Sequence, residues 1–103
     1  EEAQTMPYAL FTLGQVRRRR QEWQSAAQHV AESARLARMN QDQYMEAYAQ
    51  RTLGVILAEQ EKMADAKAML EAALALFRQL EMDDEIRRTE AELERVAARQ
   101  NVA

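Results

Sequence analysis

Cysteine is absent from the 103 residues, which excludes a disulfide framework and thiolate chemistry and suits a reducing, cytoplasmic setting. Histidine occurs once, at His29, so a zinc site of the usual nitrogen and sulfur donors cannot be completed within one chain. Ser25 and Ser33 have no activating base beyond that same histidine, which leaves no nucleophilic triad. Two glycines and one proline provide no Gly-rich phosphate loop and little material for turns, and β-branched residues are too few and scattered for strands. No apolar run approaches the roughly 18 residues that span a bilayer, so no membrane partner is expected. The net charge of −3 supplies no overall basic field for nucleic acid. The composition reads as non-enzymatic, with no cofactor and no metal.

What is present is helix-forming material: 48% of the residues are apolar and 30% charged, with Ala, Glu, Gln, Arg, Leu and Met prominent. A repeat runs through it. Thr12-Leu13-Gly14 returns 40 residues later as Thr52-Leu53-Gly54. At the same offset Tyr8-Ala9 returns as Tyr48-Ala49, Ala26 as Ala66, Leu36 as Leu76 and Arg38 as Arg78, while Val16, Trp23 and Val30 correspond to Ile56, Met63 and Leu70. A period of this size predicts stacked supersecondary units, none of which buries its apolar face alone.

Within each unit Leu-Gly is followed by a large residue and then a small one, Trp23 and Ala26 in the first copy and Met63 and Ala66 in the second. Gly and Ala remove bulk where antiparallel helices cross, so their backbones can approach. This arrangement resembles the tetratricopeptide repeat over roughly residues 5 to 80. It departs from that family in three respects. The unit exceeds the common length of roughly 34 residues, the tyrosine usual three residues after the Gly is Arg17 or Leu57, and the closing Pro is missing. The resemblance implies an all-α fold, an α-solenoid of antiparallel helical hairpins with about five helices: hairpin 1 over 5–40, hairpin 2 over 41–80, and a terminal helix over 81–100.

In chain order, Thr5 is expected to cap a first helix that carries Pro7 in its opening turn and ends near Arg20. A second helix is expected from Trp23 to Met39. Asn40-Gln41-Asp42 then breaks the chain, with Asn40 suited to the left-handed conformation and Asp42 to capping. The third helix runs from Gln43 to Glu59 and the fourth from Met63 to Leu80. Asp83-Asp84-Glu85 suit the start of a fifth, from about Asp84 to Ala98, by complementing its dipole. The fifth helix has one narrow apolar stripe and departs from the Leu-Gly pattern at Ala91, which reads as a cap; the first helix of a third unit is the alternative. The opening at Glu1 reads as a segment of a longer protein.

The family resemblance places ligand recognition on the first helix of each unit, at positions six and three before the Gly and one, four and five after it. These are Tyr8, Phe11, Gln15, Arg18 and Arg19, and then Tyr48, Arg51, Val55, Ala58 and Glu59. Aromatic residues and arginine concentrate binding energy at interfaces, so the expected function is a non-enzymatic module for protein or peptide ligands, in a bacterial-type regulator or scaffold. Two alternatives stand beside it. One is self-association as a homodimer through Tyr44, Tyr48, Met82 or Ile86. The other is RNA or anion binding by Arg17-Arg18-Arg19-Arg20 with Arg35 and Arg38. Four consecutive helical residues sweep about 300 degrees, so the run cannot face one ligand, and no aromatics are interleaved for base stacking.

Overall fold

Four turns of one kind divide the chain. In the computed structural model, which describes residues 2–102, five α-helices follow one another: α1 Glu2–Arg19, α2 Trp23–Met39, α3 Gln43–Glu59, α4 Met63–Gln79 and α5 Asp83–Val102. At each turn a non-glycine residue takes a left-handed backbone: Gln21, Gln41, Glu61 and Glu81, with φ of 62°, 60°, 62° and 56°. Its N–H donates to the carbonyl three residues back and the next N–H donates to the carbonyl five back, as Gln21 does to Arg18 and Glu22 to Arg17. This is the Schellman arrangement, which satisfies carbonyls that a helix end leaves free. The left-handed residue in the second turn is Gln41; Asn40 stays right-handed, φ −85°, which corrects the expectation placed on it. Asp42 caps α3 as anticipated, its side chain accepting from the Met45 N–H at 3.0 Å.

The helix α1 begins before Thr5, so Thr5 is an interior residue rather than the cap, and Pro7 lies inside the helix. A proline there removes one N–H and leaves the carbonyl four residues earlier without its helical donor. That carbonyl belongs to Ala3, and the Asn40 side-chain amide donates to it. The Pro7 carbonyl in turn accepts from the buried Ser33 hydroxyl at 2.6 Å. Both contacts fasten the start of α1 to the far end of α2.

Each helix packs on the next, and α1 also touches α3 as α3 touches α5. Among the described residues α2 and α4 make no such contact, so the odd-numbered helices share the closed side of the molecule and the even-numbered ones diverge. The close crossings are where the repeat puts its glycines. A Cβ on Gly14 would lie 2.4 Å from Val30 Cγ2, and one on Gly54 would lie 2.7 Å from Leu70 Cγ. Ala26 and Ala66 are fully buried beside them. The largest buried side chains are Phe77, Ile56 and Leu70, each stabilising the fold by about 1.5–3 kcal/mol. At the 40-residue offset the glycine position in α5 is Glu94, which is exposed; no described helix crosses there, so nothing demands a small residue. Among the described residues no helix is long and apolar enough to cross a membrane.

Candidate functional site

Because α1, α3 and α5 line the closed side, side chains at equivalent positions of the three converge. A groove of about 330 Å³ runs along them, lined by Gln15 and Arg18 of α1, Arg51, Thr52 and Val55 of α3, and Arg88, Ala91, Glu92 and Arg95 of α5. Four of the sequence-expected residues, Gln15, Arg18, Arg51 and Val55, therefore share one groove. The other six do not line it: Ala58 is buried in the core cluster with Leu70, Glu59 is exposed at the end of α3, and the remaining four lie elsewhere. Tyr8 borders a separate polar recess with Asn40, Asp42 and Tyr44. Phe11 packs on the core cluster of Ala26, Val30 and Ile56, Arg19 is exposed, and Tyr48 packs edge-on against Phe77 with ring centroids 5.3 Å apart.

The contribution of α5 went unread in the sequence, although the signal was available. Carrying the offset once more maps Tyr48, Arg51 and Val55 onto Arg88, Ala91 and Arg95, and all three line the groove.

The four groove arginines differ in what already holds them. Arg51 is tied down: its Nη1 lies 2.6 Å from Glu85 Oε1 with both side chains largely buried. The guanidinium also sits 5.4 Å from the Tyr48 ring centre and 5.0 Å from that of Phe77. Arg88 reaches Glu85 only at 3.8 Å, and Arg95 pairs with Glu92 at 2.7 Å. Arg18 has no carboxylate partner among the described residues; its contact is with Gln15, at 3.4 Å. Burial first, and the nearby Glu85 charge second, push the Tyr48 phenol above the ordinary tyrosine range, against the opposing effect of Arg51. Tyr8 is raised too, chiefly because its hydroxyl donates to Asp42 Oδ2 at 2.6 Å.

The arginine run is split by its helical geometry. Arg17 pairs with Glu22 at 2.9 Å, Arg18 enters the groove, and Arg19 and Arg20 are exposed. Arg35 pairs with Glu32 and Arg38 with Glu46, and both line a different groove with Ala31, Gln50 and Met69, so they do not extend the run into one anion patch. Of the residues expected to serve self-association, Tyr48, Met82 and Ile86 pack against the cluster of Ala47, Ala73 and Phe77, and Tyr44 is exposed. Among the described residues no cluster of three or more His, Asp or Glu side chains could hold a metal ion. No protein-family model, curated protein or solved structure matches this chain.

Proposed function

We infer that the chain is a non-enzymatic helical-repeat module of the tetratricopeptide type, part of a regulator or scaffold, that holds an acidic peptide segment of a partner protein along α1, α3 and α5. The observation that carries this reading is the convergence of Arg18, Arg51, Arg88 and Arg95 on one groove. Arg51 supplies fixed positive charge from within the fold, whereas Arg18, which meets only Gln15, and Arg88, which Glu85 reaches only at 3.8 Å, can meet carboxylates with planar, bidentate geometry. Val55 and Ala91 add apolar surface for the peptide's aliphatic stems. The 40-residue repeat and the glycine crossings support the family assignment, and the clustering of odd-numbered helices supports a concave recognition face.

Fluorescence anisotropy with a fluorescein-labelled hexaglutamate peptide, and hexalysine as the control, tests this. Hexaglutamate is expected to bind, to weaken with added salt, and to lose about tenfold in affinity with Arg18→Glu. Lys67→Glu, in a separate groove between α4 and α5, should leave binding unchanged. Equal loss from both variants, or no binding to the acidic peptide, would overturn the assignment.

A further inference from the structure

The 40-residue register sets a filled site in the second unit against an open one in the first. In the second unit Tyr48 stands edge-on to the fully buried Phe77, in a cluster that includes Met82. The Arg51 guanidinium lies 5.4 Å from the Tyr48 ring centre and pairs with Glu85 at 2.6 Å. The first unit keeps the tyrosine, as Tyr8, and changes each of these partners. Ala37 stands in the place of Phe77, Asp42 of Met82, Phe11 of Arg51 and Met45 of Glu85. Phe11 and Met45 go to the core cluster. Tyr8 is left 49% exposed, its hydroxyl donating to Asp42 Oδ2 at 2.6 Å. Around this pair opens a recess of about 480 Å³ between α1 and the α2–α3 turn, lined also by Gln4, Asn40, Gln43 and Tyr44.

We propose that this recess binds an organic cation, an ammonium or guanidinium group, held against the Tyr8 and Tyr44 rings and paired with Asp42. Among the described residues Asp42 is the one charged side chain that lines the recess. Its Oδ1 accepts from the Met45 N–H and its Oδ2 from Tyr8. Both donors are neutral, and a carboxylate offers about four lone-pair positions, so its charge is uncompensated and two positions are open. Tyrosine faces attract cations through the ring quadrupole. The second unit applies the same chemistry internally, with its own Arg51 against a tyrosine and a carboxylate; the first unit has the tyrosine and the carboxylate without a cation. Asn40 donates its amide N–H to the Ala3 carbonyl, which leaves its side-chain oxygen to accept from the ligand's N–H groups. The negative end of α2 and the positive end of α3 meet at this turn, so their dipoles largely offset one another and Asp42 sets the sign. An anion would face that carboxylate with no basic side chain in the recess. The recess shares no lining residue with the groove along α1, α3 and α5, so the two readings are independent.

Amide and tyrosine-ring NMR titrations test this. The free cations are tetramethylammonium and methylguanidinium, and the neutral control of similar size is tert-butanol. The cations should shift the amides of residues 40–44 with millimolar dissociation constants, and tert-butanol should not. Asp42→Asn keeps a capping residue for α3 and should weaken binding about tenfold. Tyr44→Ala alters an exposed side chain outside the core clusters and should weaken binding about threefold with helix content unchanged. Glu81→Gln, at the matching turn of the second unit, should have no effect. Acetyl-lysine and acetyl-arginine methylamides separate the two sources of such a cation. Binding no tighter than that of the free cations identifies a small-molecule ligand, and clearly tighter binding identifies a basic side chain of a partner protein. An absence of shifts at residues 40–44 with every cation, equal shifts from tert-butanol, or binding indifferent to both Asp42→Asn and Tyr44→Ala would overturn the proposal.

Discussion

Asn40 donates its side-chain amide to the Ala3 carbonyl, the acceptor that Pro7 deprives of its helical donor. An unpaired backbone carbonyl costs about 1–3 kcal/mol when buried; the Ala3 site is exposed, so the loss in Asn40→Ala should be near 1 kcal/mol. With alanine at position 7 the helix supplies its own N–H to Ala3. The coupling is therefore specific: Asn40→Ala should matter much less in a Pro7→Ala background. A double-mutant cycle by urea unfolding measures it, and simple additivity would refute the pairing.

Alanine should be destabilising at both glycines of the repeat, against its intrinsic preference. In an open helix Gly→Ala gains about 1 kcal/mol. At Gly14 the new Cβ would fall 2.4 Å from Val30 Cγ2, and a β-branched residue within a helix has almost no other rotamer to adopt. At Gly54 it would fall 2.7 Å from Leu70 Cγ and 3.2 Å from the Ala66 carbonyl oxygen, neither of which is a flexible tip. Overpacking of this kind costs about 1–3 kcal/mol, so thermal unfolding should show a lower Tm for each variant. Val30→Ala should relieve Gly14→Ala specifically, making the double variant more stable than the sum of the singles.

The helix spans could be read in the sequence because apolar periodicity and the repeat agree, and the first groove residues because the offset aligns them. Turn geometry could not. Asn40 has the residue type for a left-handed position, yet Gln21, Gln41, Glu61 and Glu81 occupy those positions, and Gln and Glu give no such signal. Tyr8 and Phe11 share a motif position with groove residues, but the contacts made at the α2–α3 turn and in the core draw them away from it. Arg88 and Arg95 were missed because the glycine that marks a unit is Glu94 in α5, where no helix crosses to require it.

Those four turn residues supply a stabilisation route. A non-glycine residue in the left-handed region costs about 1–2 kcal/mol, and glycine returns part of that through its greater entropy when unfolded. Glycine at any one of the positions should therefore stabilise by up to about 1 kcal/mol. The residues are exposed and the sites are far apart, so the gains should add. A quadruple variant with no gain in denaturation midpoint would refute this turn geometry.

Tyr8 should ionise above the ordinary tyrosine value of about 10, because its hydroxyl donates to Asp42 and the phenolate would face that carboxylate. A pKa raised in the folded state means the contact contributes fully below the unfolded value and is lost as pH rises through the folded one. Asp42→Asn removes the charge and keeps a capping residue for α3. Phenolate absorbance against pH should then show one tyrosine moving down, and Tyr8→Phe should delete that same transition. An unchanged titration in Asp42→Asn would exclude Asp42 as the cause.

Arg51 should behave as a structural residue first and a ligand contact second. Its guanidinium holds Glu85 at 2.6 Å, with both side chains about 85% buried, and reaches the Thr89 hydroxyl at 3.4 Å. Removing one member of a buried pair leaves the other charge uncompensated, costing about 3–5 kcal/mol in the fully buried limit. The residual exposure reduces this, so Arg51→Met should lose about 2 kcal/mol. Replacing both partners is different, because two apolar side chains can occupy the space between Tyr48 and Phe77 without any stranded charge. Arg51→Met with Glu85→Leu should recover most of the stability while leaving Arg18 and Arg88 in the groove. Peptide affinity measured in that double variant then separates the two roles of Arg51. A modest loss would place recognition with Arg18 and Arg88, and a complete loss would show that the Arg51 charge is itself required by the ligand.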